Sequence, residues 1–370
     1  MNLQAGNIPP FPAAFYLCNA LVAFLFAGIA FGAFAESDAP QGRMITSLAI
    51  AINTATHKVY AVNEGAGTVL VTDEHTGAAH AVKVGDGPIA IAVDTVTNRI
   101  YVANTESGSI SVIDGKQNEV IATIKGEAHP YVLAVNEVSN KIYVTNTYSD
   151  AVTVIDGATN TARRLKVGSA DGIAIDSGNN QIFLTTYEDP DLRILDGATE
   201  TVSKVRVGPH LWGITLDAPS GTLYLAHTGT ADLVALNEKT YEVYTIPVGE
   251  IPCAVVVNPV TQTIYVVNYG DETVSVIDAA KRKAVTTLYV GKHPQAVAVD
   301  VAHNRVYVAN AHGDSVTVID GVKNAIVGTY GAGKNPYALV VDPVTAHAYA
   351  ADYGEPSMAA IDISGITARR

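Results

Sequence analysis

Three histidines in this 370-residue chain, His129, His210 and His293, stand at matching places: each is followed two residues later by a position that varies from aromatic to polar. Imidazole nitrogens bind zinc at about 2.0–2.1 Å, so a metal ion held by these three is one chemistry they could serve. No two of them share a short ligand spacing such as HxH or HExxH, and such a site needs its loops to fold inward. The positions two residues on include Tyr131, Trp212 and Tyr337, alongside Cys253 and Gln295. A second group recurs about 15 to 17 residues further along each stretch: Tyr148, Tyr187, His227, Tyr269, His312 and Tyr353, with Asp352 beside the last. Aromatic walls with a few polar groups are the composition of a ligand pocket. The same residues can instead shape turns and fill the mouth of a channel. His227 stands where other stretches carry Asn, which makes His210 and His227 a pair to test by mutation.

Other chemistries are excluded by their missing motifs. There is no CxxCH for covalent haem, no GxxxxGK[ST] phosphate loop and no GxSxG nucleophile elbow. No catalytic residue is assigned. Cys253 reads as a small packing residue, since a nucleophile needs a base near it.

The elements that must position these residues come from a repeat. IYVTN at 142–146 returns as VYAVN (59–63), IYVAN (100–104), IFLTT (182–186), LYLAH (223–227), IYVVN (264–268), VYVAN (306–310) and AYAAD (348–352). The anchor aromatics, Tyr60, Tyr101, Tyr143, Phe183, Tyr224, Tyr265, Tyr307 and Tyr349, are spaced by 41, 42, 40, 41, 41, 42 and 42 residues. Each copy carries runs rich in Val, Ile and Tyr, as in IAIAV (89–93), RIYVAN (99–104), SISVID (109–114) and VIATIK (120–125), separated by turn residues. Four antiparallel strands about every 42 residues predict an all-β propeller blade. Eight blades are expected, with a seven-bladed ring as the alternative. In such a ring the outer-to-inner loops and the second-to-third loops share one end, here called the top. The His and aromatic positions all fall there. The eighth copy lacks an evident outer strand, which residues 36–45 or the tail 366–370 could supply. The Asn residues that end five second strands, Asn63, Asn104, Asn146, Asn268 and Asn310, are expected to organise turns. First strands alternate small and larger residues, as in Ala90/Ala92 against Ile91/Val93, which predicts one thin and one bulky face.

On these motifs the chain resembles the YVTN-repeat β-propellers, whose name is spelled by Tyr143-Val144-Thr145-Asn146. The resemblance covers about residues 46–363. It implies an exported propeller and leaves the activity open, because a fold hosts many functions.

Composition bounds the partners. The net charge is -13, and the first 35 residues contain no Asp, Glu, Lys or Arg. Residues 1–35 read as a signal peptide ending in Ala33-Phe34-Ala35, or else as an uncleaved membrane anchor. Residues 36–370 then form a single propeller domain, exported to the periplasm, the cell surface or the medium. An acidic ring argues against nucleic acid and against anionic membranes, leaving the N-terminal segment as the sole membrane contact. Cys253 is the only cysteine beyond that segment, so a monomer without an intrachain disulfide is expected. The expected function is binding of a small-molecule ligand or a protein partner by Tyr131, Trp212, Tyr337, Tyr148, Tyr187, Tyr269, Tyr353, His227 and His312. The alternatives are a metal- or cofactor-dependent enzyme or oxidoreductase subunit, and a cell-surface adhesive module. A metal ion is the cofactor these residues leave open.

Overall fold

The computed structural model describes residues 49–353 and 358–362. Residues 1–35, expected to be a signal peptide or an anchor, and both candidate closing strands lie outside the described residues. Within them the chain folds as eight antiparallel blades, seven of four strands and the last of three. Every blade runs in sequence order from an inner to an outer strand. Blade one, for example, is Ile50–Asn53, Lys58–Asn63, Thr68–Asp73 and Ala79–Lys83. The remaining inner strands are Pro88–Asp94, Pro130–Asn136, Gly172–Asp176, Leu211–Asp217, Pro252–Asn258, Pro294–Asp300 and Pro336–Asp342. Each touches the inner strand of the next blade, and Pro336–Asp342 touches Ile50–Asn53, so the ring closes at eight.

The anchor aromatics explain the period. All eight are buried, none more than 5% exposed. Each pairs directly with a small or modest residue of the inner strand: Ala51 with Tyr60, Ala92 with Tyr101, Ala134 with Tyr143, Ala174 with Phe183, Thr215 with Tyr224, Val256 with Tyr265, Ala298 with Tyr307 and Val340 with Tyr349. Directly paired residues share a face of the sheet. The small residues therefore do not make a uniformly thin face. They clear space for a large ring rising beside them, which then packs on the next blade. Tyr143, for instance, lies in one cluster with Ile173, Ile182 and Leu184 of blade four.

Turns at the bottom end are built by short polar side chains. In blade two, Asp94 Oδ1 accepts the N–H groups of Val96 and Thr97, both at 3.0 Å, and Asn98 closes the turn at φ 53°. Left-handed backbone suits Asn better than most residues, and Asn140, Asn180 and Asn304 repeat the arrangement.

Candidate functional site

At the top end, one backbone device recurs in most blades. The residue before each inner strand is left-handed: Gly87 at φ 62°, His129 at 57°, His210 at 62°, Ile251 at 52°, His293 at 48° and Asn335 at 48°. Its carbonyl accepts an N–H from just beyond the second strand of the same blade. These bonds run from Thr105 to Gly87 (2.8 Å), Thr147 to His129 (2.9 Å), Thr228 to His210 (3.0 Å), Tyr269 to Ile251 (2.9 Å), Ala311 to His293 (3.1 Å) and Tyr353 to Asn335 (3.1 Å). The two loop sets thus share one end and are stitched together there. His is among the side chains that tolerate this backbone region, which gives the three histidines a turn-forming role as well as any other.

A register shift follows immediately. Between the inner and second strands the pairing slips at Pro88/Ala90, at Pro130/Leu133, at Leu211/Ile214, at Pro252/Ala254, at Pro294/Ala296 and at Pro336/Ala338. The residues inside these bulges include the variable positions Ile89, Tyr131, Trp212, Cys253, Gln295 and Tyr337. A bulge re-aims the side chain it carries. The sequence variability at this place therefore has a structural cause.

The top-end side chains meet in separate groups. His129 and Tyr148 approach edge-on, with ring centres 6.3 Å apart. Tyr187 of blade four bridges to blade five, where it meets His210 at 4.9 Å and Trp212 at 6.0 Å. Tyr269 of blade six stacks on His293 of blade seven, centres 4.7 Å apart and planes 13° from parallel. His293 also meets His312 at 4.3 Å, and their Nδ1 atoms are hydrogen-bonded. Desolvation of its ring, and then the neighbouring His293, lower the pKa of His312. Tyr337 and Tyr353 form a perpendicular pair at 6.0 Å. Of the aromatics named from the sequence, Tyr187, Tyr269 and Tyr337 are buried, Tyr131, Trp212 and Tyr353 are half-buried, and Tyr148 is 53% exposed.

His129, His210 and His293 do not come together. Each meets an aromatic of the nearest loop, and none of the three belongs to the one metal-type group of side chains among the described residues. His227 pairs across the sheet with Leu211, next to His210, but its imidazole makes its hydrogen bonds elsewhere. It takes over the work of the Asn residues that end other second strands. All of those side chains but Asn63 are buried: Asn104 Nδ2 donates to Ser109 and Ser111, Asn268 Nδ2 to Thr273 and Ser275, and Asn310 Nδ2 to Ser315 and Thr317, at 2.9–3.2 Å. His227 Nδ1 reaches Thr230 Oγ1 at 2.8 Å and Asp232 Oδ1 at 3.1 Å in the same way. Cys253 is buried, with Sγ 3.6 Å from the Pro294 carbonyl.

Blade four adds two charged groups that sequence reasoning left unassigned. The Asp171 carboxylate accepts the Tyr187 N–H at 3.0 Å, and burial raises its pKa. Arg193 is buried, paired with Asp189, and donates to the Ser169 carbonyl at 2.9 Å. At the opposite, bottom end, His57, Glu74 and Asp342 bring one ligand-type atom each within 4.8 Å of one another. The available signal was that Glu74 stands where four of the eight copies have the Gly of an Asp-Gly turn.

No family model and no curated protein matches the chain. Solved structures do. Hydrazine synthase of Kuenenia stuttgartiensis is similar over 90% of this chain and 99% of its own, with 17% identity and a TM-score of 0.58. Dihydro-heme d1 dehydrogenase NirN, solved in complex with DHE, is similar over 77% of this chain and 66% of its own, with 13% identity and a TM-score of 0.65. At these identities the likeness shows a shared propeller fold.

Proposed function

We propose that the chain is an exported propeller of the YVTN-repeat type that binds a small ligand or a protein partner through its top-end loops. Tyr148 carries the reading. It is a bulky residue held at φ 63° on a loop tip, with about half its surface in water. Non-Gly residues in this region cost about 1–2 kcal/mol, and such strain concentrates at binding sites. Tyr131 and Trp212, half-buried within bulges at the same end, supply further aromatic surface. Large exposed aromatics on a rigid scaffold suit recognition better than packing.

The test is capture from the native envelope by wild type and by a Tyr131→Ala, Tyr148→Ala, Trp212→Ala triple variant, with captured molecules identified by mass spectrometry. Selective loss in the triple variant, at an unchanged melting temperature, is the expected result. Equal capture of a specific molecule by both proteins would refute the top-end reading.

A second reading, a cofactor-dependent propeller, is favoured by the His293–His312 imidazole pair, which offers two ring nitrogens at one loop surface. One of the similar structures is named a dihydro-heme d1 dehydrogenase. A visible absorption band or stoichiometric metal that is lost in His312→Ala would select this reading over the first.

A further inference from the structure

The bottom end repeats one arrangement between blades. The left-handed residue of the inner-to-second turn packs on the residue that follows the third strand. In four blades these are Asn and Gly: Asn98 on Gly115, Asn140 on Gly157, Asn180 on Gly197 and Asn304 on Gly321. A Cβ on those glycines would lie 2.0–2.5 Å from the Asn Oδ1, so the pairing requires Gly. The Asn also accepts from the end of the preceding inner strand, as from Asn53 to Asn98 (2.8 Å), Asn136 to Asn180 (2.9 Å) and Asn258 to Asn304 (2.8 Å).

Where blade eight meets blade one, both members are replaced. His57 stands for the Asn, Glu74 for the Gly, and Asp342 ends the preceding inner strand. His57 Nδ1 lies 2.8 Å from Asp342 Oδ2 and 3.5 Å from Glu74 Oε2. Asp342 Oδ1 is occupied by the Val344 N–H at 2.7 Å, which leaves Oδ2 turned to the group. The Glu74 side chain is 1% exposed and that of Asp342 is 0% exposed. Glu74 Oε2 nevertheless receives no hydrogen bond. Thr345 Oγ1, at 3.4 Å, faces Oε1 instead. The His57 side chain is 20% exposed and leaves one flank open to water.

We propose that His57, Glu74 and Asp342 form a zinc site that staples blade one to blade eight. One imidazole nitrogen and two carboxylate oxygens are donor types that zinc takes, with water free to fill a fourth place. Bonds of about 2.0–2.1 Å in a tetrahedron put ligand atoms roughly 3.4 Å apart. The 3.5 Å separation of His57 from Glu74 already matches, and the 2.8 Å separation from Asp342 needs about half an ångström of opening. A dication also satisfies two buried carboxylates, one of which, Glu74, has an oxygen that receives no hydrogen bond. Ligand groups of these kinds bind metal in their deprotonated forms, so uptake releases protons.

Blade five supplies an internal control. There Glu238 occupies the Glu74 place and Asn179 Nδ2 links it to Asp176 (3.1 and 2.6 Å), but Gly221 stands where His57 would be. This acidic pair lacks the imidazole ligand. The proposal is independent of any role for the top end.

The test uses tag-free full chain, stripped with a chelator and titrated calorimetrically with Zn2+, in parallel with Ca2+. Wild type should take one zinc per chain, release protons on binding and melt several degrees higher. The double variant His57→Asn, Glu74→Gly restores the arrangement of the four other blades; it should fold and take no zinc. Glu74→Gln, nearly isosteric, should bind zinc more than tenfold more weakly and serves if the double variant does not fold. Glu238→Gln should bind as wild type does. No zinc uptake by wild type, preference for calcium, or equal affinity in Glu74→Gln would overturn the proposal.

Discussion

Tyr307 permits a paired test of what the anchor aromatics contribute. Its ring is fully buried among Ala309 and Val318 of blade seven and Leu339, Ala348 and Ala350 of blade eight. Its hydroxyl makes no hydrogen bond to the protein, and burial, followed by nearby Asp300, raises its pKa. Truncation to Ala should cost about 3–5 kcal/mol, the range for large buried aromatics, because the small residues around it cannot collapse into the space. Tyr307→Phe removes only an unbonded polar atom, so stability should hold or rise by up to about 1 kcal/mol. With an unfolding entropy of roughly 0.6–0.7 kcal/mol/K for a domain of this length, the Ala variant should melt about 5–8 °C lower. The assay is urea unfolding followed by circular dichroism, with calorimetric melting beside it. A loss above about 1.5 kcal/mol for Phe would mean that the hydroxyl is bonded, since that is the size of a made hydrogen bond. A loss below about 1 kcal/mol for Ala would place the ring outside the interface between blades and refute the packing argument.

Further predictions concern the two ends of the ring. Gly291→Ala should cost about 1–3 kcal/mol by overpacking, because its Cβ would fall 2.7 Å from Asn310 Cγ; an unchanged urea midpoint would contradict this. Tyr148→Gly should leave the melting temperature level or slightly higher while weakening ligand capture, since it relieves left-handed backbone at the expense of the contact with His129. In metal-free protein burial, and then the neighbouring Asp342, push Glu74 up to about 7 against 4.5 for the ordinary group. A raised carboxyl lends stability that is full below the unfolded value and is lost as pH rises through the folded one. His57, also raised, acts in the same sense, while Asp342 is lowered and has made its contribution below this window. Tyr349 also faces Glu74, and His75 lies against the His57 ring. Wild type should therefore lose melting temperature from about pH 5 to 8 more steeply than Glu74→Gln; parallel curves in a pH series of thermal melts would refute the assignment.

The ring was legible because burial enforces its period. An aromatic that must fill the gap to the next blade returns every 40–42 residues, and its small partner returns with it. The Asn positions were legible for a similar local reason: their hydrogen bonds reach only five to seven residues along the chain. The top-end groupings were not. Whether His293 meets His210 or His312 depends on loop backbone, and the bulge that turns Tyr131 and Trp212 has no composition of its own beyond a frequent preceding Pro. The bottom cluster was least accessible, for His57 and Asp342 stand 285 residues apart and meet only because the ring closes.

The top-end bulges have a consequence for how such a chain can change. In a regular strand, inserting or re-aiming a residue inverts every side chain beyond it, so surface novelty disturbs the core. Here the slip is absorbed within one or two residues, before the alternation that places Ala92, Ala134 and Ala298 beside their aromatic rings begins. Substitutions at Tyr131, Trp212 and Gln295, the bulge positions left partly exposed, are thereby partly insulated from strand register. The ring offers a set of display positions that selection, or a randomised library, can vary blade by blade while the frame beneath stays fixed.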